Sequence, residues 1–315
     1  LTRPRAHGLT RSVQDRLRNI AKEENRPYAE LLQLYALERF LYRLSLSSHR
    51  DRFVLKGALM MHVWEGMASR PTRDIDLLGP SGITEAEVTQ AIHDCLSNEV
   101  TADGIELDRE SVRIRPIRVA EVHVGYRAKL DGFLARSQIR LQVDVGTGDH
   151  VVPQPVRIEY PTLLDFPPPR LKAYTPYTTI AEKFEALVKL DLANTRMKDF
   201  FDLDLLAKRM ELDGEILARA LKETFTSRRI ELPEEVPTGL GERFAQAPIK
   251  VSQWRAFVRK GRLGDRAGTL DATIARVRRF LMPAVLAAAR RRTFSMNWPP
   301  GGPWRPKEEM ASNAR

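Results

Sequence analysis

The stretch Phe53-Val-Leu-Lys-Gly-Ala-Leu-Met-Met-His62, followed closely by Arg73-Asp-Ile-Asp-Leu-Leu-Gly79, leaves few folds open to this chain. Its apolar start, Phe53 to Leu55, predicts a short buried strand. Gly57 then breaks the run at a point where backbone without a Cβ can approach a ligand closely. A helix is expected from Ala58 to about Glu65. Such a strand–glycine–helix junction gathers backbone N–H groups at the positive end of a helix dipole, a setting that suits phosphate. After Pro71, a second strand carries Asp74 and Asp76. Alternation along a strand puts both carboxylates on one face and Ile75 and Leu77 on the other. Two carboxylates side by side repel unless a divalent cation or strong hydrogen bonds hold them.

At 315 residues and 43% hydrophobic, the chain is long enough for two domains, or for one with a large appendage. No apolar run approaches the length of a bilayer span, and no cleavable signal pattern opens the chain. Cys95 is the single cysteine, which excludes an internal disulfide framework and a cysteine-rich zinc site. The histidines, His7, His49, His62, His93, His123 and His150, are scattered without metal-ligand spacing. A cytoplasmic protein is the expectation. The net charge of +10 and isoelectric point near 9.8 make the surface attractive to polyanions. That charge fits an arginine-rich soluble protein as well as one with a nucleic-acid substrate.

Along the chain, Ser12 can cap a helix reaching about Glu24, and a second helix is expected from Tyr28 to about Leu46. Thr84 with Glu87 resembles a capping box for a helix to about Cys95. From Val112 to Tyr160 the period switches to two, with strands expected around Val112–Ile117, Val122–Leu130 and Val156–Tyr160. The cleanest strand is Gln138-Ile-Arg-Leu-Gln-Val-Asp-Val-Gly146. There Asp144 shares a wet face with Arg140 and Gln142, opposite Ile139, Leu141, Val143 and Val145. Asp144 can join Asp74 and Asp76 if the two strands are neighbours.

Pro167-Pro-Pro169 is the expected domain boundary. It separates a sheet-bearing domain, 1–166, from a helical domain, 170–296, and residues 297–315 are expected to form an extended or flexible tail. In the helical half, Lys183 flanks the stripe formed by Ile180, Phe184, Leu187 and Val188, from which a lysine can reach a cleft or snorkel to water. Lys198 and Asp202 stand four apart on the next helix and can simply pair.

Asp-x-Asp alone is a weak signal; its context here is specific. Phe53-Val-Leu-Lys-Gly-Ala, Arg73-Asp-Ile-Asp-Leu, Gln142-Val-Asp-Val-Gly146, Ile180-Ala-Glu-Lys-Phe-Glu-Ala-Leu187 and Arg196-Met-Lys-Asp-Phe-Phe-Asp-Leu203, in this order, resemble the AbiEii/AbiGii toxin family. That family belongs to the DNA polymerase β-like nucleotidyltransferases. The resemblance runs from about Ser12 to Met210 and more loosely beyond. It implies an α+β fold: a small mixed β-sheet flanked by helices, with a mainly helical C-terminal domain. It also implies the toxin of a bacterial toxin–antitoxin or phage-defence pair, some relatives of which add nucleotides to the 3′ end of tRNA.

By that resemblance Asp74 and Asp76 would hold the metals, Mg²⁺ or Mn²⁺, and Asp144 would be the third carboxylate, near the attacking hydroxyl. Lys56, Gly57, Ala58 and Arg73 would lie at the nucleotide, and Lys183 would neutralise phosphate charge. Lys198, Asp199 and Asp202 would form the family's later Lys-Asp-x-x-Asp signature at the same ligand. Many members carry a hydroxyl residue after the lysine–glycine pair. Here Ala58 and Leu59 follow Gly57, so only backbone donors remain.

The expected reaction is in-line attack of an RNA 3′-hydroxyl on the α-phosphate of a nucleoside triphosphate. Its expected partners are the NTP, tRNA or another RNA, and a cognate antitoxin, with no membrane. Transfer to a protein or small-molecule hydroxyl, or a non-catalytic module that binds RNA or a partner, are the competing readings.

Overall fold

The computed structural model describes residues 3–118 and 124–307, arranged as two compact units. His123, the first residues of the strand expected from Val122, and the tail beyond Lys307 lie outside the described residues.

The first unit runs to Asp149 and resumes over Pro155–Tyr174. Its elements are α1 (Arg3–Glu23), α2 (Tyr28–Leu46), β1 (Val54–Lys56), α3 (Ala58–Glu65), β2 (Asp74–Leu78) and α4 (Glu85–Ser97), then β3 (Ile105–Arg118), β4 (Val124–Leu134), β5 (Ser137–Gly146), β6 (Val156–Glu159) and β7 (Arg170–Ala173). The seven strands form one mixed sheet in the order β3-β4-β5-β2-β1-β7-β6. Within it, β2 lies parallel to β5 and β1 parallel to β7; the other pairs are antiparallel.

Alternation decides the faces. Ile75, Leu77, Leu141, Val143 and Val145 are buried on one side, in a core shared with Tyr35, Leu37, Phe40, Leu41 and Leu44 of α2, Val13 and Leu17 of α1, and Val88 and Ile92 of α4. The opposite face carries the charged residues. Thr84 and Glu87 close the capping box that starts α4.

Two expectations for this unit change. The sheet does not end before Pro167-Pro-Pro169, because β7 follows that run and pairs with β1 and β6. A proline lacks the N–H but keeps its carbonyl, and these carbonyls are used: Pro169 accepts from the Tyr160 N–H at 2.8 Å, and Pro167 from the Arg39 guanidinium at 3.1 Å. Also, α1 begins at Arg3 instead of near Ser12.

Beneath the sheet, α2 buries Glu38 beside Arg39, whose guanidinium lies 2.7 Å away, while the Leu163 N–H donates to the carboxylate at 2.7 Å. Burial outweighs both and pushes the Glu38 carboxyl up to about 7. The folded state therefore holds this proton more tightly than the unfolded chain. Stability on this account falls as pH rises from about 4.5 towards 7 and is flat above. Glu38→Gln is expected to flatten that part of the profile. Urea midpoints of both proteins at pH 5 and pH 8 measure it, and equal pH dependence in the two would contradict the assignment.

The second unit takes in His150–Gln154 and the described residues from Thr175 on. Its helices are α5 (Pro176–Leu190), α6 (Met197–Arg209), α7 (Gly214–Ser227), α8 (Glu242–Gln246), α9 (Pro248–Lys260) and α10 (Leu270–Ala289). A small antiparallel sheet joins them, β8 (Leu212–Asp213), β9 (Met296–Trp298) and β10 (Arg305–Pro306), in the order β10-β9-β8. The unit is mainly helical, as expected. Residues 297–307, expected to be an extended or flexible tail, instead enter the small sheet and are anchored by one buried side chain. Trp298 is fully buried, donates its indole N–H to the Ala207 carbonyl at 2.7 Å, and meets Phe280 and Trp304. Aperiodic sequence hid this, since the segment is anchored by aromatic side chains and not by a repeating apolar face.

Candidate active site

Three carboxylates meet on the polar face of the first unit's sheet. Asp76 on β2 is the direct register partner of Asp144 on β5, and Asp74 stands opposite Gln142 one pleat away. Parallel neighbours in register share a face, so Asp74, Asp76 and Asp144 each offer an oxygen, and these oxygens all lie within 4.8 Å of one another. All three side chains are partly exposed.

The cluster is braced. Arg127 on β4, the register partner of Asp144, grips it with a two-pronged fork, Nε at 2.8 Å and Nη2 at 2.6 Å. Those bonds, with the charge of Asp144 and then of Asp74 and Asp76, hold the guanidinium pKa above its ordinary value against partial burial. Gln142 donates to Asp144 at 3.2 Å, and the Thr72 hydroxyl donates to Asp74 at 2.8 Å. The three carboxylates bring hard, anionic oxygen donors within reach of a single ion. That donor set fits a Mg²⁺ or Mn²⁺ ion.

Gly57 connects β1 to α3 at φ +73° and ψ −147°, a backbone region in effect reserved for glycine. A Cβ at this position would fall 2.7 Å from Cγ and 2.8 Å from Cβ of Asp76 and overlap its carboxylate. The space left by the missing side chain is therefore occupied by Asp76, a reason for the glycine that the sequence reading did not contain. No side chain caps α3, and Ala58 at its first position is buried.

Lys56 is the register partner of Asp76 on β1. Its ammonium donates to Asp149 at 2.5 Å and to the Tyr174 hydroxyl at 3.3 Å, and it lies over the Tyr174 ring. Arg73 is exposed one residue before β2, out of phase with the two aspartates. Arg127, Thr72, Asp149 and Tyr174 were missed from sequence. Arg127 had a signal, because it sits on the polar phase of the alternation ending at Leu130; what was lacking was its register against Asp144.

The other expected residues lie in the second unit. Lys183 on α5 donates to Asp199 at 2.9 Å and to Asp202 at 2.7 Å, both on α6 and both buried. Asp199 also meets Arg196 at 2.7 Å. Asp202 thus takes Lys183 as a partner across helices, a contact that the four-residue spacing to Lys198 did not suggest, and Lys198 is exposed. Lys183→Ala removes the cation that these two buried carboxylates share. It is expected to lower stability by about 3–5 kcal/mol. Denaturant unfolding would show it, and an unchanged midpoint would contradict this setting.

Carboxylates in register beside a glycine turn into a helix place metal-ligating oxygens next to a helix start that suits phosphate. The family model described as nucleotidyl transferase AbiEii toxin, type IV toxin–antitoxin system, matches residues 39–282. The chain belongs to that family: it is an AbiEii-type nucleotidyltransferase toxin of a type IV toxin–antitoxin system. Among solved structures, the nucleotidyltransferase toxin MenT4 from Mycobacterium tuberculosis H37Rv is similar in fold, at 18% identity over 88% of this chain and 99% of its own, with a TM-score of 0.50. JHP933 from Helicobacter pylori matches at 17% identity over 83% of this chain and 92% of its own, with a TM-score of 0.47. No curated protein matches the chain. Family membership implies an NTP substrate and an antitoxin partner. Among the described residues no helix is long and apolar enough to cross a membrane.

Proposed function

We propose that this chain moves a nucleoside monophosphate from an NTP to the 3′-hydroxyl of an RNA, with a tRNA acceptor end as the substrate the family resemblance favours, and that it acts in the cytoplasm. The observation that carries the proposal is the meeting of Asp74, Asp76 and Asp144 on one sheet face, with oxygens within 4.8 Å of one another. These three would hold Mg²⁺ or Mn²⁺, which when bound supplies charge neutralisation at the reacting phosphate oxygens.

The chain's own residues do the positioning. Arg127 fixes the orientation of Asp144 through its two bonds, aiming that carboxylate at the acceptor hydroxyl of the proposal. Gly57 leaves Asp76 room to stand beside the start of α3, where backbone N–H groups and the helix dipole favour the triphosphate. Lys56 adds a cation on the same strand junction, steadied by Asp149 and Tyr174. Ala58 and Arg73 complete the nucleotide-binding set of the proposal in this unit. In the second unit, the family resemblance assigns Lys183, Lys198, Asp199 and Asp202 to nucleotide binding, and Lys183 there is bonded to Asp199 and Asp202. Phosphoryl chemistry of this kind needs positioning and charge compensation more than a protein nucleophile.

Pyrophosphate release tests the reading. Protein, Mg²⁺ and NTP should release pyrophosphate when RNA is added, and should stop when the RNA 3′ end has been oxidised with periodate. Release that ignores the state of the 3′ end would contradict the RNA acceptor.

A further inference from the structure

The polar face of the first unit's sheet continues past the carboxylates. One row of cross-strand partners runs Asp76, Asp144, Arg127, Arg115. A second, one pleat along, runs Asp74, Gln142, Lys129, Arg113. Residues directly opposed across strands share a face. Four cations therefore lie on the carboxylate side of the sheet, all on the flank beyond Asp144 and reaching the edge strand β3. Arg113, Arg115 and Lys129 are exposed. Arg113 donates only to backbone carbonyls, those of Glu110 and Val112, so its charge is not neutralised there. Among the described residues, the side chains of Arg115 and Lys129 have neither an ion-pair nor a hydrogen-bond partner. The patch is bounded: one row further on, Asp131 stands opposite Asp108 and Arg140.

We infer that this patch is the track for the phosphodiester backbone of the acceptor, holding the phosphates that precede the reacting 3′ end; the inference rests on the RNA-acceptor reading above. Strands lie roughly 4.8 Å apart, so the row from Asp144 to Arg115 spans roughly 10 Å, with Arg127 midway. A strand whose terminal hydroxyl sits at Asp144 would run its neighbouring phosphates along these side chains. Phosphate contacts of this kind set register without reading bases. A protein partner would require apolar or aromatic anchors at the centre of its contact. The two rows contain only Arg, Lys, Gln and Asp, which favours a regular polyanion. Charges on an edge strand also discourage strand pairing. That role is served by charge of either sign on either face, and does not account for cations of one sign in register with the carboxylates.

The test uses the double variant Arg115→Ala with Lys129→Ala, and the charge-conserving pair Arg115→Lys with Lys129→Arg. Binding of tRNA ending in a 3′-deoxynucleotide is measured across a salt series, and binding of Mg²⁺–NTP is measured by calorimetry. The double variant is expected to bind RNA about tenfold more weakly at low salt, with a log–log salt slope shallower by about 1.4, the loss of two phosphate contacts. NTP binding should be unchanged, and the charge-conserving pair should behave as wild type. If wild type labels RNA but the double variant matches it in affinity and slope, the track lies elsewhere and the inference fails alone. If the variant loses NTP binding and keeps RNA binding, the patch serves the triphosphate and the inference is overturned. If wild type labels protein and no RNA, the acceptor reading fails and the track goes with it.

Discussion

Asp76→Asn is expected to lower nucleotidyl transfer on the order of a thousandfold while the protein stays folded. Asp76 is the central carboxylate of the cluster. It stands in register with Asp144 on one side and Lys56 on the other, two residues from Asp74 on the same face. The amide keeps the shape and removes the charge, so packing around Ile75 and Leu77 is untouched. Neutralising Asp76 sheds the repulsion of Asp74 and Asp144 and also the attraction of the neighbouring Lys56 and Arg127, so the two effects oppose each other. The melting temperature should therefore stay close to that of wild type. Divalent-cation binding by calorimetry should weaken in parallel with activity. A variant with normal turnover would remove Asp76 from the reaction; one that is inactive because it is unfolded would contradict the electrostatic account.

The second large effect belongs to Gly57→Ala. Two penalties add at this position. The backbone conformation at φ +73° and ψ −147° costs about 1–3 kcal/mol for a residue with a side chain. The added methyl would also occupy the space of the Asp76 carboxylate, so either β2 or the junction must shift. A displacement of about 1 Å at a reacting centre is enough for a loss on the order of a hundredfold. Gly57→Ala should thus lose both stability and transfer, whereas Asp76→Asn loses transfer alone. Thermal unfolding and initial rates on the two variants separate these patterns. Wild-type stability in the alanine variant would show that the junction is not held as described.

What could be read from the chain was what depends on neighbours in sequence. The two-residue spacing of Asp74 and Asp76 fixed their common face, and the alternation from Gln138 to Gly146 did the same for Asp144. Thr84 and Glu87 announced the start of α4 through a local hydrogen-bonded box. The lysine–glycine turn between β1 and α3 was equally local. What depends on pairing across the chain was hidden. That Asp76 faces Asp144, that Arg127 grips Asp144, and that Lys183 reaches Asp199 and Asp202 all follow from register between distant elements. The strand after the proline run was hidden because it is short and one of its two partners, β1, lies more than a hundred residues earlier. The burial of Trp298 and the stacking of Trp304 were hidden because both come from aromatic contacts in a segment with no period to detect.

The most direct measurement incubates the protein with total tRNA, Mg²⁺ and each NTP in turn, labelled with ³²P at the α-phosphate, beside Asp76→Asn. The account predicts label at the 3′ end of RNA with wild type, with one or more of the nucleotides, and none with the variant. Label on protein or on a small molecule, with RNA unlabelled, would contradict it.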